Sequence, residues 1–218
     1  MKVKICGLSD AASLDASVEA GADYVGFVFF PKSPRNVSVE QARDLAARVP
    51  PGVCRTGLFV DPDDGHIGRV LDSVALDMIQ LHGSESRERS RAIGKTFGLP
   101  VMKSLGISAK SDVERADDWE GFADQLLVDA PRARHSDRPG GQGIVIDWSL
   151  LANREWRLPW MLAGGLTREN IADAVRLSGA TQLDVSSGVE SAPGMKDCDR
   201  IRGFLRLAGA LSDQTSGS

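Results

Sequence analysis

A chain of 218 residues, 42% hydrophobic and 26% charged, can bury one full-sized core, which excludes both a disordered polymer and a short disulfide scaffold. Its 26 Lys+Arg against 30 Asp+Glu leave a net charge of −4, without the basic excess that binds phosphate backbones, so nucleic acid is not an expected partner. Cys6, Cys54 and Cys198 form no CxxC pair and suit a reducing compartment; no apolar run approaches the roughly 20 residues of a membrane span, and Gly7 and Asp10 come too early for a secretory leader, so a cytoplasmic protein without membrane association is expected.

Eight short β-branched or apolar runs recur along the chain, at 2–6, 24–29, 55–60, 76–81, 100–104, 125–128, 160–163 and 181–185, each followed by a stretch of helical period. In the first such stretch, 11–20, Ala12, Leu14, Ala16 and Val18 mix with Asp15 and Glu19, and Gly21 suits the position just past a helix end. The second opens on Ser38-Val39-Glu40-Gln41, which has capping-box spacing, carries Ala42, Leu45, Ala46 and Val49, and is stopped by Pro50-Pro51. Strand–helix alternation forces parallel pairing, and eight such units are the number at which a parallel sheet closes, so the expected fold is α/β, a single (β/α)8 TIM barrel. An open doubly wound sheet is the competitor, but the first turn, Cys6-Gly7-Leu8-Ser9, lacks the GxGxxG of that class. The barrel domain is expected over 1–209, with 210–218 as a flexible polar tail.

In such barrels the active site forms at the C-terminal ends of the strands. The polar residues expected there are Cys6, Asp61, Gln80, His82, Lys103, Ser104, Asp129, Asp184, Ser186 and Ser187, most of them around one cavity. Ala163-Gly164-Gly165-Leu166-Thr167 and Asp184-Val185-Ser186-Ser187-Gly188-Val189-Glu190 place small residues after the last two strands. There, exposed backbone N–H groups and a helix N-terminus make a phosphate cradle; each alone reads equally well as a tight turn.

Cys6 is either a packed thiol or a base, and as a base it needs its thiolate. Asp129 closes the run Leu126-Leu127-Val128, where a half-desolvated carboxyl either donates a proton near neutral pH or caps a loop. Arg35, on a segment stiffened by Pro31 and Pro34, is a solvated cation or a fork for a carboxylate. The three histidines, His66, His82 and His135, show no HxH or HExxH spacing, so no metal is expected. Two other readings stay open: a Schiff-base aldolase built on Lys103, and a module that only binds a phosphorylated ligand.

Lys4-Ile5-Cys6-Gly7-Leu8, Gly26-Phe27-Val28-Phe29 with Ser33-Pro34-Arg35, Gln80-Leu81-His82-Gly83, Asp129, Gly164-Gly165-Leu166, Asp184 to Glu190 and Pro193-Gly194-Met195-Lys196-Asp197 together resemble the phosphoribosylanthranilate isomerase family over nearly the whole chain. The resemblance implies a TIM barrel that works in tryptophan biosynthesis without metal or organic cofactor. Its reaction is the Amadori rearrangement of N-(5-phosphoribosyl)anthranilate to 1-(2-carboxyphenylamino)-1-deoxyribulose 5-phosphate. It further implies Cys6 as general base, Asp129 as general acid, Arg35 as partner of the anthranilate carboxylate, and Gly164, Gly165, Ser186, Ser187 and Gly188 as the phosphate cradle, with His82 and Asp184 also against the substrate. The partner is then a small phosphorylated molecule, and the oligomeric state stays open. Two residues of the loop after the sixth strand depart from the family pattern, Gln142 and Ile146, and Ser9 stands where Thr is frequent.

Overall fold

The computed structural model describes residues 1–130 and 147–215, with side chains of the last helix described through 212. Eight strands run parallel and close into a barrel: β1 (Lys2–Cys6), β2 (Tyr24–Val28), β3 (Cys54–Phe59), β4 (Met78–Leu81), β5 (Val101–Gly106), β6 (Gln125–Asp129), β7 (Trp160–Leu162) and β8 (Gln182–Val185). The seam closes where β1 lies beside β8, Lys2 opposite Gln182 through Ile5 opposite Val185. Around it lie α1 (Ala11–Glu19), α2 (Val39–Ala46), α3 (Asp64–Leu71), α4 (Arg87–Phe97), α5 (Lys110–Glu114), α6 (Ile171–Ser178) and α7 (Cys198–Thr215). The expected barrel and all eight expected strands are present, with ends shifted by one or two residues. The stretch expected as a tail overlaps α7, which continues to Thr215; 216–218 lie outside the described residues.

The helix ends follow the local chemistry. Asp10 caps α1 by accepting from Ser13 N at 2.9 Å, and Gly21, at φ +89, turns the chain out of it. Ser38 caps α2 by accepting from Gln41 N, but the reciprocal half of the capping box is missing: the Gln41 amide reaches away to donate to the Ser9 carbonyl. Of the four apolar residues named for α1, Leu14 and Ala16 are buried, while Ala12 is exposed and Val18 half-buried; Ser13 and Ser17 complete the buried face, Ser17 Oγ satisfying itself on the Ser13 carbonyl at 2.7 Å.

The strand period of two sorts each strand into an outer face under the helices and an inner face in the barrel. Val3, Ile5, Val25, Phe27, Phe59, Ile79, Leu81, Val128 and Leu162 pack into the large cluster between sheet and helices. Met78, Met102, Leu127, Met161 and Ala163 fill the barrel's lower interior. Above them sit Cys6, Val28 and Leu58, which form the apolar floor of the mouth. Lys103, one residue out of phase with Met102, therefore lands on the outer face, which corrects its expected place at the mouth. There its ammonium donates to Glu85 Oε2 at 2.6 Å and to the Gly83 carbonyl at 2.8 Å.

Candidate active site

The barrel mouth holds one cavity lined by Cys6, Arg35, His82, Asp129, Gly164, Gly165, Asp184, Ser186 and Ser187, together with Gln80 and apolar Val28, Phe30, Leu58 and Val60. Cys6 comes from β1 and Asp129 from β6, both at strand ends and both on the inner face. Neither Lys103 nor Ser104 reaches this cavity. Asp61 serves the backbone instead, accepting from Ser84 N at 2.7 Å.

The base candidate sits among charges. Burial pushes the Cys6 thiol above its ordinary value; the Lys4 ammonium beside it opposes that, Asp184 adds to it, and Lys196 opposes it in turn. Lys4 is fully buried and donates to Asp184 Oδ1 at 2.9 Å; burial alone would lower its pKa, but the Asp184 charge prevails and holds it above the ordinary lysine range. Asp184 thus reaches the cavity already paired with a cation of its own chain. Ser186 Oγ donates to the Cys6 carbonyl at 3.0 Å, which ties the end of β1 to the turn after β8.

Asp129 is 8% exposed. Its Oδ1 accepts from the Ala130 N–H at 2.7 Å, and its Oδ2 lies 3.3 Å from His82 Nε2. Gly164, at φ +85, backs this carboxyl so closely that a Cβ there would fall 2.6 Å from Ala130 N and 3.0 Å from Asp129 Oδ1. A glycine expected for a phosphate thus also makes room for the Asp129 carboxyl.

The second turn departs from expectation in two ways. No long helix begins there: a 3-10 turn over Ser187–Val189 leads into a hairpin, β9 (Glu190–Ala192) and β10 (Met195–Lys196), and α7 starts only at Cys198. Pro193-Gly194 makes the hairpin turn, with Gly194 at φ +83, too short a unit for periodicity to reveal. Gly188, expected against the substrate, does not line the cavity. A Cβ at Gly188 would stand 1.9 Å from the Leu166 carbonyl oxygen, so this glycine locks the turn after β8 onto the turn after β7.

Three polar residues outside the expected set complete the site. Glu190 accepts from Arg35 Nε at 2.6 Å, Arg35 Nη2 at 2.8 Å and Lys196 Nζ at 2.8 Å. Burial pushes its carboxyl up, but hydrogen bonds and charge from Arg35 and Lys196 outweigh burial and hold it below the ordinary value. Lys196 also donates to the Ser186 carbonyl at 3.0 Å and to Ser186 Oγ at 3.2 Å; burial lowers its pKa despite Glu190. The third, Lys4, is a charge inside a strand, and that anomaly was the available signal. Glu190 and Lys196 stand within motifs quoted above, but only the hairpin brings Glu190 to Arg35 and Lys196 to Glu190. Among the described residues no cluster of His, Cys, Asp or Glu could hold a metal ion, and no helix is long and apolar enough to cross a membrane. Gln142 and Ile146 lie outside the described residues.

The profile of the family described as N-(5'-phosphoribosyl)anthranilate (PRA) isomerase matches residues 3–206. The N-(5'-phosphoribosyl)anthranilate isomerase of Paracoccus denitrificans is 54% identical over 210 residues, covering 96% of this chain and 98% of its own. The crystal structure of phosphoribosyl anthranilate isomerase from Thermotoga maritima superposes with a TM-score of 0.86 at 40% identity, covering 96% of this chain and 99% of that one. A phosphoribosyl anthranilate isomerase in complex with reduced 1-(o-carboxyphenylamino)-1-deoxyribulose 5-phosphate gives a TM-score of 0.83 at 38% identity, with the same coverage. With the profile and the relatives covering nearly all of the barrel that carries this mouth, the chain belongs to the N-(5'-phosphoribosyl)anthranilate isomerase family.

Proposed function

We propose that Cys6 and Asp129 are the base and the acid of the family's reaction, the isomerisation of N-(5'-phosphoribosyl)anthranilate in tryptophan biosynthesis. The observation that carries this is the shared cavity: a thiol from β1 and a carboxyl from β6 line it together with the Gly164-Gly165 and Ser186-Ser187 turns. Protonation of the furanose ring oxygen by Asp129 breaks the bond from C1′ to that oxygen, and the anthranilate nitrogen supplies the electron pair that leaves an iminium at C1′. The iminium acidifies C2′–H, the Cys6 thiolate takes that proton, and the electron pair moves to form the enolamine. The C2′ hydroxyl then loses its proton as C1′ gains one, giving the ketone.

Binding divides between the two ends of the substrate. The turns after β7 and β8 suit the phosphate. Arg35 suits the anthranilate carboxylate, but Glu190 holds its Nε–Nη2 edge, so a ligand carboxylate would meet it along Nη1. Three free cysteines fit a cytoplasmic enzyme. The test is turnover of freshly made substrate. Asp129→Asn should lose about 10²-fold or more in kcat with KM changed less. A Cys6→Ala variant with near-wild-type kcat would end the assignment of the base.

A further inference from the structure

Gln80 lies in β4 and His82 one residue past its end, and both line the mouth cavity. Gln80 is fully buried, and its Nε2 lies 3.0 Å from His82 Nδ1. On the other side of the ring, His82 Nε2 faces Asp129 Oδ2 at 3.3 Å. These contacts decide where the imidazole proton sits. Once Asp129 has given up its proton, Nε2 has to present a proton to the carboxylate oxygen, because its lone pair would be repelled. A neutral ring has one proton, so Nδ1 is then a lone pair and needs a donor, and the Gln80 amide nitrogen supplies it. Turning the amide over would set its oxygen against that lone pair. The cost of the observed orientation is visible: Gln80 Oε1 is buried with no hydrogen-bond partner among the described residues, a state a buried carbonyl rarely keeps without compensation.

We infer that Gln80 is a positioning residue that holds His82 as the Nε2–H tautomer, so that His82 donates to Asp129 rather than competing for its proton. This rests on Asp129 being the acid. When Asp129 gives up its proton, the carboxylate formed is met by two donors already in place, the Ala130 N–H on Oδ1 and His82 Nε2–H on Oδ2. The opposite tautomer would face a protonated Asp129 with a lone pair and draw its proton toward the imidazole, away from the ring oxygen.

Nitrogen NMR of histidine-labelled protein, with His82 assigned by its loss in His82→Gln, tests the tautomer directly. The expected result is an unprotonated Nδ1 and a protonated Nε2; a protonated Nδ1 in the wild type overturns the inference. Gln80→Glu keeps the size but offers only acceptors, so it should move the proton to Nδ1 and lower kcat about tenfold or more while KM stays within about threefold. Gln80→Met, which neither donates nor accepts, should mix the tautomers with a smaller loss, and it carries the test if the glutamate variant does not fold. A Gln80→Glu protein whose tautomer has switched while kcat stays within about twofold of wild type overturns the inference. Asp129→Asn in the same assay separates the two failures. If that variant is slow and Gln80→Glu is not, the role of Gln80 falls alone; if Asp129→Asn keeps its rate, the acid assignment falls.

Discussion

Arg35 and Glu190 meet fork to fork, Nε to Oε1 at 2.6 Å and Nη2 to Oε2 at 2.8 Å, across 155 positions of chain. The pair joins the loop after β2 to the hairpin after β8. It means that the cation expected to wait for a substrate carboxylate is already partly neutralised by the protein itself. Glu190 fixes the direction of the guanidinium, and the Lys196 ammonium shares the same carboxyl.

Glu190→Gln should therefore leave two largely buried cations undercompensated, lowering stability by about 3 kcal/mol or more and raising KM as Arg35 loses its orientation. Denaturant melts and steady-state kinetics measure both. Its folded carboxyl titrates below the ordinary value, so its contribution is complete above about pH 4.5 and is lost as pH falls through the lower folded value. Unfolding free energies from about pH 6 to about pH 3 should fall more steeply for the wild type than for Glu190→Gln. Parallel curves would show that the pair does not couple to folding.

Because burial raises the Cys6 thiol, the thiolate required of a base forms toward alkaline pH, and kcat/KM should climb with pH on that side. Lys196 favours the thiolate, so Lys196→Met should move the climb to higher pH, while Glu190 keeps Arg35 as partner. A pH–rate profile unchanged by Lys196→Met would mean that this charge does not act on the reacting thiol.

Gly188→Ala would place a methyl where the Leu166 carbonyl now stands, forcing apart the two turns assigned to the phosphate. The expected result is a rise in KM of about tenfold and weaker competition by inorganic phosphate, with kcat affected less. An alanine variant with wild-type phosphate inhibition would show that the lock between the turns is not part of anion binding.

Lys103 is held on the outside of the barrel by Glu85, with both side chains nearly inaccessible. Borohydride with a ketose phosphate should therefore leave no adduct at Lys103, and mass spectrometry of the digested protein checks it. A reduced Schiff base on that residue would revive the aldolase reading. Lys103→Met should instead lower stability by stranding the Glu85 carboxylate.

The barrel was readable because its signals are local. Apolar runs broken by Ser38 and Gly21 mark strands and helix ends by chemistry that acts within a turn of chain. Cys6, His82 and Asp129 were readable for a related reason: each ends a strand, and a parallel barrel gathers such ends in one place. The remainder depends on phase and distance. Lys103 sits one residue out of the inward register, which changes its face entirely. Glu190 reaches Arg35, and Lys196 reaches Glu190, only through a hairpin of two short strands far along the chain from Arg35. Gln80 read as one more polar strand end until its amide was seen to face an imidazole nitrogen.

The Cys6 thiol lies at the end of β1, beside the seam with β8. The Lys4–Asp184 pair and the Ser186 hydroxyl on the Cys6 carbonyl both cross it, and the Met1 ammonium donates to Ser212 in α7. Residues far apart in the chain therefore supply the electrostatic surroundings of one thiol. Without β8, Lys4 would lose its carboxylate and Cys6 the charge of Asp184 beside it, so the setting of the thiol is complete only when the ring is closed.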